Sequence, residues 1–476
     1  MMEKHQPQHG TMRFSHGFLA VVLLSLLFAL SLSSLVTSQY VVHYYQKHMF
    51  PNASLTSSNE SACNVNKSTE EFKERTEVQK AASKFNIYKT LVESLPALVI
   101  SSSIGGLSDK YGRKRILIYN IFLTFLWGCL ASVIIFFQIN VNYLLFSYGL
   151  YSLGGGLYGA LSVSFAYVSD VTNPGKLRTL MITLLEAALG VGATASGFVS
   201  GIIIDRVGFF YASVCVCAAA AFSLLVMMFC LPNSRPPELL LKGTSTLENI
   251  RASSAFYFRA SPKRHKYILA IFIFMMASFS MLGKSNIEVL YQLNAPFCWK
   301  SEKVGYYSAI SYSARMILGS ASVKILQIVL IEETIGIISG ISGMAANLVE
   351  AFAINDLMLF IVPAAGCLSS LIIPMTRSIL SKLTPADRQG AMFSGIAVVE
   401  IASSMGSSLG ASTVYIATVG TMRGFVFLVF AGFSFITTCL FAIYRIINRG
   451  TKTVPITDVT KEITSTQVKT DLDKGK

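Results

Sequence analysis

The sequence predicts an all-α membrane protein of twelve transmembrane helices arranged as two six-helix bundles. Three observations carry that prediction. Of 476 residues, 53% belong to the AVILMFWYC set and only 13% are charged, with a mean hydropathy of +0.56. A soluble globular chain carries about 25% charged residues because its surface must face water. Twelve apolar runs are each long enough, at about 20 residues, to cross the ~30 Å hydrocarbon core as a helix. A polar stretch at 232–266 divides them six and six. The same composition excludes a disordered chain, a coiled coil and a disulfide-stapled secreted domain.

The first run, 17–39, is too long for a signal peptide and lacks a clear small-residue cleavage site, so it reads as a retained helix after a cytosolic stretch at 1–16. The hydrophilic loop 40–84 holds the chain's three N-x-[ST] sequons, at Asn52, Asn59 and Asn66. Glycosylation requires a lumenal or extracellular face, so this loop is expected to be exported. Five spans follow at 85–107, 116–138, 143–168, 179–204 and 209–231, completing the bundle 17–231. Gly154-Gly155-Gly156 falls inside the fourth span, where it is expected to serve packing. Gly190, Gly192, Gly197 and Gly201 in the fifth are small residues at a spacing that permits close helix contact. The stretch 232–266, with Pro232, Pro236, Pro237 and the basic run Lys263/Arg264/Lys266, reads as a cytosolic linker. The second bundle, 267–444, carries spans at 267–291, 304–328, 334–354, 357–380, 391–416 and 423–444, and the polar tail 445–476 is expected to be cytosolic and disordered.

The net charge is +14. The termini and even-numbered loops hold more than twice as many basic residues as the odd-numbered loops, which by the positive-inside rule places both termini in the cytosol. The lipid bilayer therefore accounts for the basic excess, and no nucleic-acid partner is needed. Six of the eight cysteines lie in spans as small buried hydrophobes. Cys63 and Cys298 lie in exported loops, where an oxidising compartment favours pairing them. There is no CxxC pair or His/Cys cluster to suggest a metal, and no G-x-S-x-G, H-E-x-x-H or Walker-type sequence to suggest an enzyme. No cofactor and no obligate protein partner is expected.

Between spans two and three lies GGLSDKYGRKR at 105–115. Gly105 allows close helix packing and Gly112 a tight turn. Asp109 is an acid at the membrane border that can cap a helix or pair with a base. The basic triplet Arg113, Lys114, Arg115 anchors the loop to the cytosolic leaflet. This stretch resembles the major facilitator superfamily signature G-x-L-x-D-x-x-G-R-K-R position for position. The resemblance implies a conformational latch, so Gly105, Asp109, Gly112 and Arg113 are expected to gate, together with Asp170 at the end of span four. Three further stretches, IEVLYQLNAPFCW at 287–299, RSILSKL at 377–383 followed by QGAMFS at 389–394, and AYVSDVT at 166–172, resemble solute carrier family 46, a group of proton-coupled organic-anion transporters. That resemblance also implies the Cys63–Cys298 bridge.

A charge at mid-bilayer costs at least ~2.5–3.5 kcal/mol, so such a residue is expected to face a cavity or a partner. Glu186 in span five, Arg315 in span eight and Glu400 in span eleven are the most central, and Arg377 lies in the cytosolic third of span ten. Glu93, Lys284, Glu288 and Glu350 lie nearer the exported ends, where snorkelling is a sufficient explanation. An acid inside a span can shed its charge by taking up a proton, and the family's proton-coupling acid aligns with Glu186. Glu400 is grouped with it. Arg377 aligns with a family arginine implicated in substrate binding, and a guanidinium suits a carboxylate or sulfate held bidentately. Arg315 either binds the anion or pairs with Glu186 or Glu400. The folate-transporting branch has a histidine in span seven, where this chain has Met281; all six histidines lie outside the spans. A proton-coupled cycle must then rest on carboxylates.

The reading is a proton-coupled symporter of small organic anions (steroid conjugates, folate-like or muropeptide-like solutes), moved from lumen or exterior to cytosol by alternating access. It would reside in the plasma or lysosomal membrane. The alternatives are proton-coupled efflux of organic solutes and a non-transporting receptor on the same fold.

Overall fold

The computed structural model describes residues 11–51, 70–171, 176–233, 264–383 and 389–452, and among these the regular structure is helical. The helices are α1 (Thr11–Met49), α2 (Glu70–Tyr111), α3 (Arg113–Phe136), α4 (Tyr143–Leu153), α5 (Gly156–Val171), α6 (Lys176–Val207) and α7 (Phe209–Phe229) in the first half. The second half holds α8 (Arg264–Met281), α9 (Lys284–Leu293), α10 (Ser301–Ser313), α11 (Gly319–Val329), α12 (Glu332–Ala351), α13 (Asp356–Ala365), α14 (Ile372–Leu383), α15 (Gln389–Thr418) and α16 (Phe425–Lys452). Every expected span falls on described helix. Among the described residues seven stretches are long and apolar enough to cross a membrane, including Gly17–Met49, Arg113–Phe136 and Phe425–Asn448.

Several helices outrun their apolar runs. α1 continues to Met49 and α2 begins at Glu70, so residues 40–49 and 70–84 of the expected exported loop are helical. α16 likewise continues past 444 to Lys452. Hydropathy marks where lipid contact ends, whereas helical hydrogen bonding continues as long as the backbone has partners. Asn52, Asn59, Asn66 and Cys63, most of the linker 232–266 and the tail beyond 452 lie outside the described residues.

Gly154-Gly155-Gly156 was expected inside a continuous helix, and here the structure corrects the sequence. Gly155 and Gly156 have φ of 84° and 59°, a region that L side chains rarely adopt, so span four is two helices. Asn120 donates to the Gly154 carbonyl at 2.6 Å and to the Gly156 carbonyl at 3.0 Å, and Ser101 donates to the Gly155 carbonyl at 3.1 Å. These donors supply what the missing helical turn would have supplied. Spans seven, eight and ten are also interrupted: at Gly283, by a π-helical turn at Ala314–Leu318, and by Gly366 with a 3₁₀ turn at Ser369–Leu371.

The halves meet chiefly through α2 on α15 and α6 on α10. The fifth-span glycines are the reason α6 can approach so closely. A Cβ on Gly197 would stand 2.6 Å from the Ala309 amide nitrogen, and one on Gly201 would stand 2.8 Å from the Glu302 Cα. On the partner side a Cβ on Gly305 would meet the Gly197 carbonyl oxygen at 2.6 Å. Gly190 faces Met316, and Gly192 seats α6 against Leu24 of α1. The Glu302 amide donates to Asp205 at 2.9 Å. These contacts gather at the end that the sequence assigns to the exported side.

Gly201→Leu should therefore destabilise the purified protein in detergent by at least about 1–3 kcal/mol, the usual penalty for overpacking a filled contact. Gly410→Leu is the control, since a Cβ there meets nothing within 4 Å. A thermal-unfolding comparison should show a fall for the first and little change for the second.

Candidate functional site

Two groups of charged side chains lie inside the second half. The first joins α14 to α15. Arg377 pairs with Glu400, Nη2 to Oε2, at 2.5 Å, and their side chains are 32% and 11% exposed. The guanidinium also stacks over the Phe274 ring of α8, 5.8 Å from its centroid. Tyr158 of α5, on the opposite half, hydrogen-bonds Ser404, one turn beyond Glu400, and lies within electrostatic reach of Glu400, Arg377 and Glu93. The pair thus stands where the two halves face each other. Its partial exposure leaves the Arg377 guanidinium accessible from outside the helix packing.

The second group differs from expectation. Lys284, Glu288 and Glu350 were expected to snorkel, yet Lys284 forms an ion pair with Glu350, and these side chains are 7% and 0% exposed. Lys284 also lies 3.8 Å from Glu288 and donates to Asn347 at 3.4 Å. Tyr307 donates to Glu288 at 3.0 Å. Snorkelling fails because α9 is a separate short helix wedged between α1, α2 and α15, so its polar side chains cannot reach water along the lipid face. Arg315 sits on the π-helical turn facing Glu288 and Glu350, not Glu400. With Lys284, Asn347, Met281, Ser369 and Ser434 it lines a cavity inside the second half.

The remaining expected residues are placed as follows. Gly112 joins α2 to α3 with φ of 92°, the turn that its position in the motif calls for. Arg113 pairs with Asp170 across α3 and α5, Nε to Oδ2 at 3.2 Å, with both side chains buried, and also hydrogen-bonds Ser108. Glu186 lies in α6, and Gly105 and Asp109 lie in α2, with their side chains outside the described residues. Cys298 is disulfide-bonded, and Cys129, Cys215, Cys217, Cys230, Cys367 and Cys439 are free thiols. Among the described residues no group of three or more His, Cys, Asp or Glu side chains could hold a metal ion.

Sequence reasoning missed the Lys284–Glu350 pair and the role of Tyr158. The i,i+4 spacing of Lys284 and Glu288 was a signal that could have flagged a paired helix face. No signal linked Glu350 to either of them.

Chemically, both groups present cations held by carboxylates in a region of low dielectric. Protonating the carboxylate removes its charge and leaves the cation to seek another anion. Arg377→Ala and Glu400→Gln should accordingly be non-additive, with a coupling of about 0.5–3 kcal/mol in a double-mutant cycle on thermal stability. Additivity would mean that the contact contributes nothing.

The Major Facilitator Superfamily model matches residues 90–394, more than half of the chain. The chain is 28% identical over 418 residues to the lysosomal proton-coupled steroid conjugate and bile acid symporter of Gallus gallus, covering 85% of this chain and 89% of that protein. It is 29% identical over 422 residues to the proton-coupled folate transporter of Bos taurus, covering 87% and 89%. Among solved structures, the human organic anion transporter MFSD10 (TETRAN) superposes with a TM-score of 0.64 at 14% identity, covering 92% of this chain and 100% of that one. A D-xylose-proton symporter superposes at 0.63 and 14%, covering 90% and 96%. At these identities the two structures establish the fold alone.

Proposed function

The chain belongs to the Major Facilitator Superfamily, and from that premise we propose that it is a proton-driven symporter of organic anions, carrying them toward the cytosol by alternating access. The observation that carries this reading is the Arg377–Glu400 pair, 2.5 Å apart and partly exposed where the halves face each other. When Glu400 takes up a proton, Arg377 loses its counter-ion and can hold a carboxylate or sulfate in its place. Glu186 carries the coupled proton from the opposite half, and Arg315 offers a second cation. Phe274, already beneath the guanidinium, gives a flat apolar surface to the body of an amphipathic solute. The relatives' printed substrates, steroid conjugates, bile acids and folate, share this combination of an anionic group and a bulky body.

The Gly105–Gly112 turn, Asp109, Arg113 and Asp170 form the latch of the first bundle (17–231) against the second (267–444). The Arg113–Asp170 pair supports this, since it ties α3 to α5 beside the turn at Gly112. Cys63 bonds Cys298, Asn52, Asn59 and Asn66 carry glycans, and both termini face the cytosol in a plasma or lysosomal membrane.

Cells with the protein routed to their surface should take up a radiolabelled anion (a folate, a sulfated steroid or a muramyl peptide) faster at pH 5.5 than at 7.4. Glu186→Gln should abolish the acid stimulation, and Arg377→Ala should lower uptake by about 10²-fold or more through loss of a charge-assisted contact. Robust surface expression without flux of any of these anions at either pH would overturn the symporter reading.

A further inference from the structure

The cavity inside the second half is lined by two cations and a set of neutral hydrogen-bonding groups that the Arg377–Glu400 pair does not use, and two carboxylates, Glu288 and Glu350, stand against those cations. Its walls include Lys284, Arg315, Asn347, Ser280 and Ser434. Lys284 is the hinge of the arrangement. Its ammonium pairs with Glu350, approaches Glu288 at 3.8 Å, donates to Asn347 and lies over the Phe427 ring at 5.7 Å. The Glu350 carboxylate is fully buried, and neither of its oxygens has a hydrogen-bond partner of good geometry among the described residues. An ionised carboxylate in a native core normally accepts two or more such bonds. Among the described residues the Glu350 carboxylate is thus held chiefly by its contact with Lys284, a cation that another anion could also engage.

The charges add up in a particular way. Lys284 and Arg315 contribute +2 and Glu288 and Glu350 contribute −2, so the cluster is neutral. An incoming monoanion would leave it at −1 in a region of low dielectric, which is strongly unfavourable. A proton arriving with the anion restores neutrality. Glu350 faces Lys284, Glu288 and the Tyr291 ring of α9, Tyr307 of α10 and Arg315 of the π-helical turn. Of these, Glu288 is already engaged by the Tyr307 hydroxyl at 3.0 Å, whereas the Glu350 carboxylate relies on Lys284. Arg315 makes no ion pair among the described residues, so it too stands ready for an anion.

We propose that this cavity is a second anion subsite, whose lysine is held in the resting protein by the Glu350 carboxylate. A substrate carboxylate or sulfate takes Glu350's place on Lys284, with Arg315, Ser280, Ser434 and Asn347 around it, once Glu350 has taken up a proton. The exchange is one proton and one anionic group in, with no change in net charge. Release on the cytosolic side returns the proton from Glu350 to water and the carboxylate to Lys284. The subsite lies along the same helices as Arg377: Ile372 of α14 and Ala277 of α8 line it, five residues before Arg377 and one turn beyond Phe274. It would thus receive one end of an elongated anion whose other end reaches Arg377. This inference rests on the symporter reading and adds a named exchange to it.

The test is equilibrium binding of tritiated estrone sulfate to the purified full-length protein at pH 5.5 and 7.4. Wild type, Glu350→Gln, Lys284→Met and the double variant are compared, each checked for monodispersity and thermal stability. Wild type should bind at least about tenfold more weakly at pH 7.4, because each anion must bring a proton. Glu350→Gln, permanently neutral, should bind at pH 7.4 as tightly as at 5.5. Lys284→Met and the double variant should bind at least about tenfold more weakly than wild type at pH 5.5. The double variant preserves the charge balance, so it decides the point if Glu350→Gln does not fold. The subsite is overturned if Glu350→Gln keeps the wild-type pH dependence, or if the double variant binds like wild type, which would make the pair purely structural. Absence of both binding and uptake in the wild type would instead remove the symporter reading beneath it.

Discussion

A charge inside the helical interior of this protein needs opposite charge close to it, because the surroundings solvate it poorly. That constraint organises the structure. Arg113 meets Asp170, Arg377 meets Glu400 and Lys284 meets Glu350. Each pair joins different helices, so each also fixes how two helices sit together. The three pairs differ in what surrounds them. Arg113 has Ser108 as a further acceptor beside a glycine turn, the setting of a fixed strut. Of the other two, the Arg377–Glu400 pair is partly exposed where the halves face each other, and the lysine of the Lys284–Glu350 pair lines the cavity.

The same low dielectric governs the backbone. A helix can break within a membrane protein only where other groups take over its hydrogen bonds. At Gly154–Gly156 those groups are Asn120 and Ser101. Near Gly283 the Ser407 hydroxyl donates to the Phe279 carbonyl at 2.6 Å. In span ten Ser369 donates to Gly366 and Ser370 to the Arg315 carbonyl, at 2.6 and 2.9 Å, which ties the break of one helix to the π-helical turn of another. The interruptions in the second half flank Lys284 and Arg315. Breaks and charges therefore coincide: an interrupted helix frees a side chain to point into the protein where a regular one would have aimed it elsewhere.

The parts of the fold legible in the sequence are those that depend on one segment at a time. Apolar length marked stretches that are helical, the motif at 105–115 predicted the turn that Gly112 makes, and the glycine spacing of span five predicted a close contact. Depth along a span also picked out Glu400 and Arg377. What hydropathy cannot carry is the direction in which a side chain points. Lys284 and Glu350 sit near span ends and look free to snorkel, yet the break at Gly283 turns α9 inward and buries them. The partner of Arg315 was equally hidden, since it depends on which of several acids α9 and α12 bring round. The triple glycine misled for a related reason: its break is stabilised by Asn120, a residue of another helix.

Alternating access asks one further thing of the architecture, that the halves can part without stranding a charge. Each of these three pairs lies within one half, so none would be pulled open by a relative movement of the two. Across the α6–α10 contact the seating is instead glycine against backbone, at Gly197, Gly201 and Gly305. Such a surface gains dispersion energy from close approach and adds side-chain contacts such as the Phe198–Tyr306 ring pair, and separating it exposes main chain that is already hydrogen-bonded within its own helix. The polar links between halves near this seam, the Glu302 amide to Asp205 and Ser313 to Thr194, join groups that water can satisfy as well. Strong charge pairing inside each half and weak, smooth packing between them is the division of labour that lets a rocking movement proceed while the proton and anion sites stay intact.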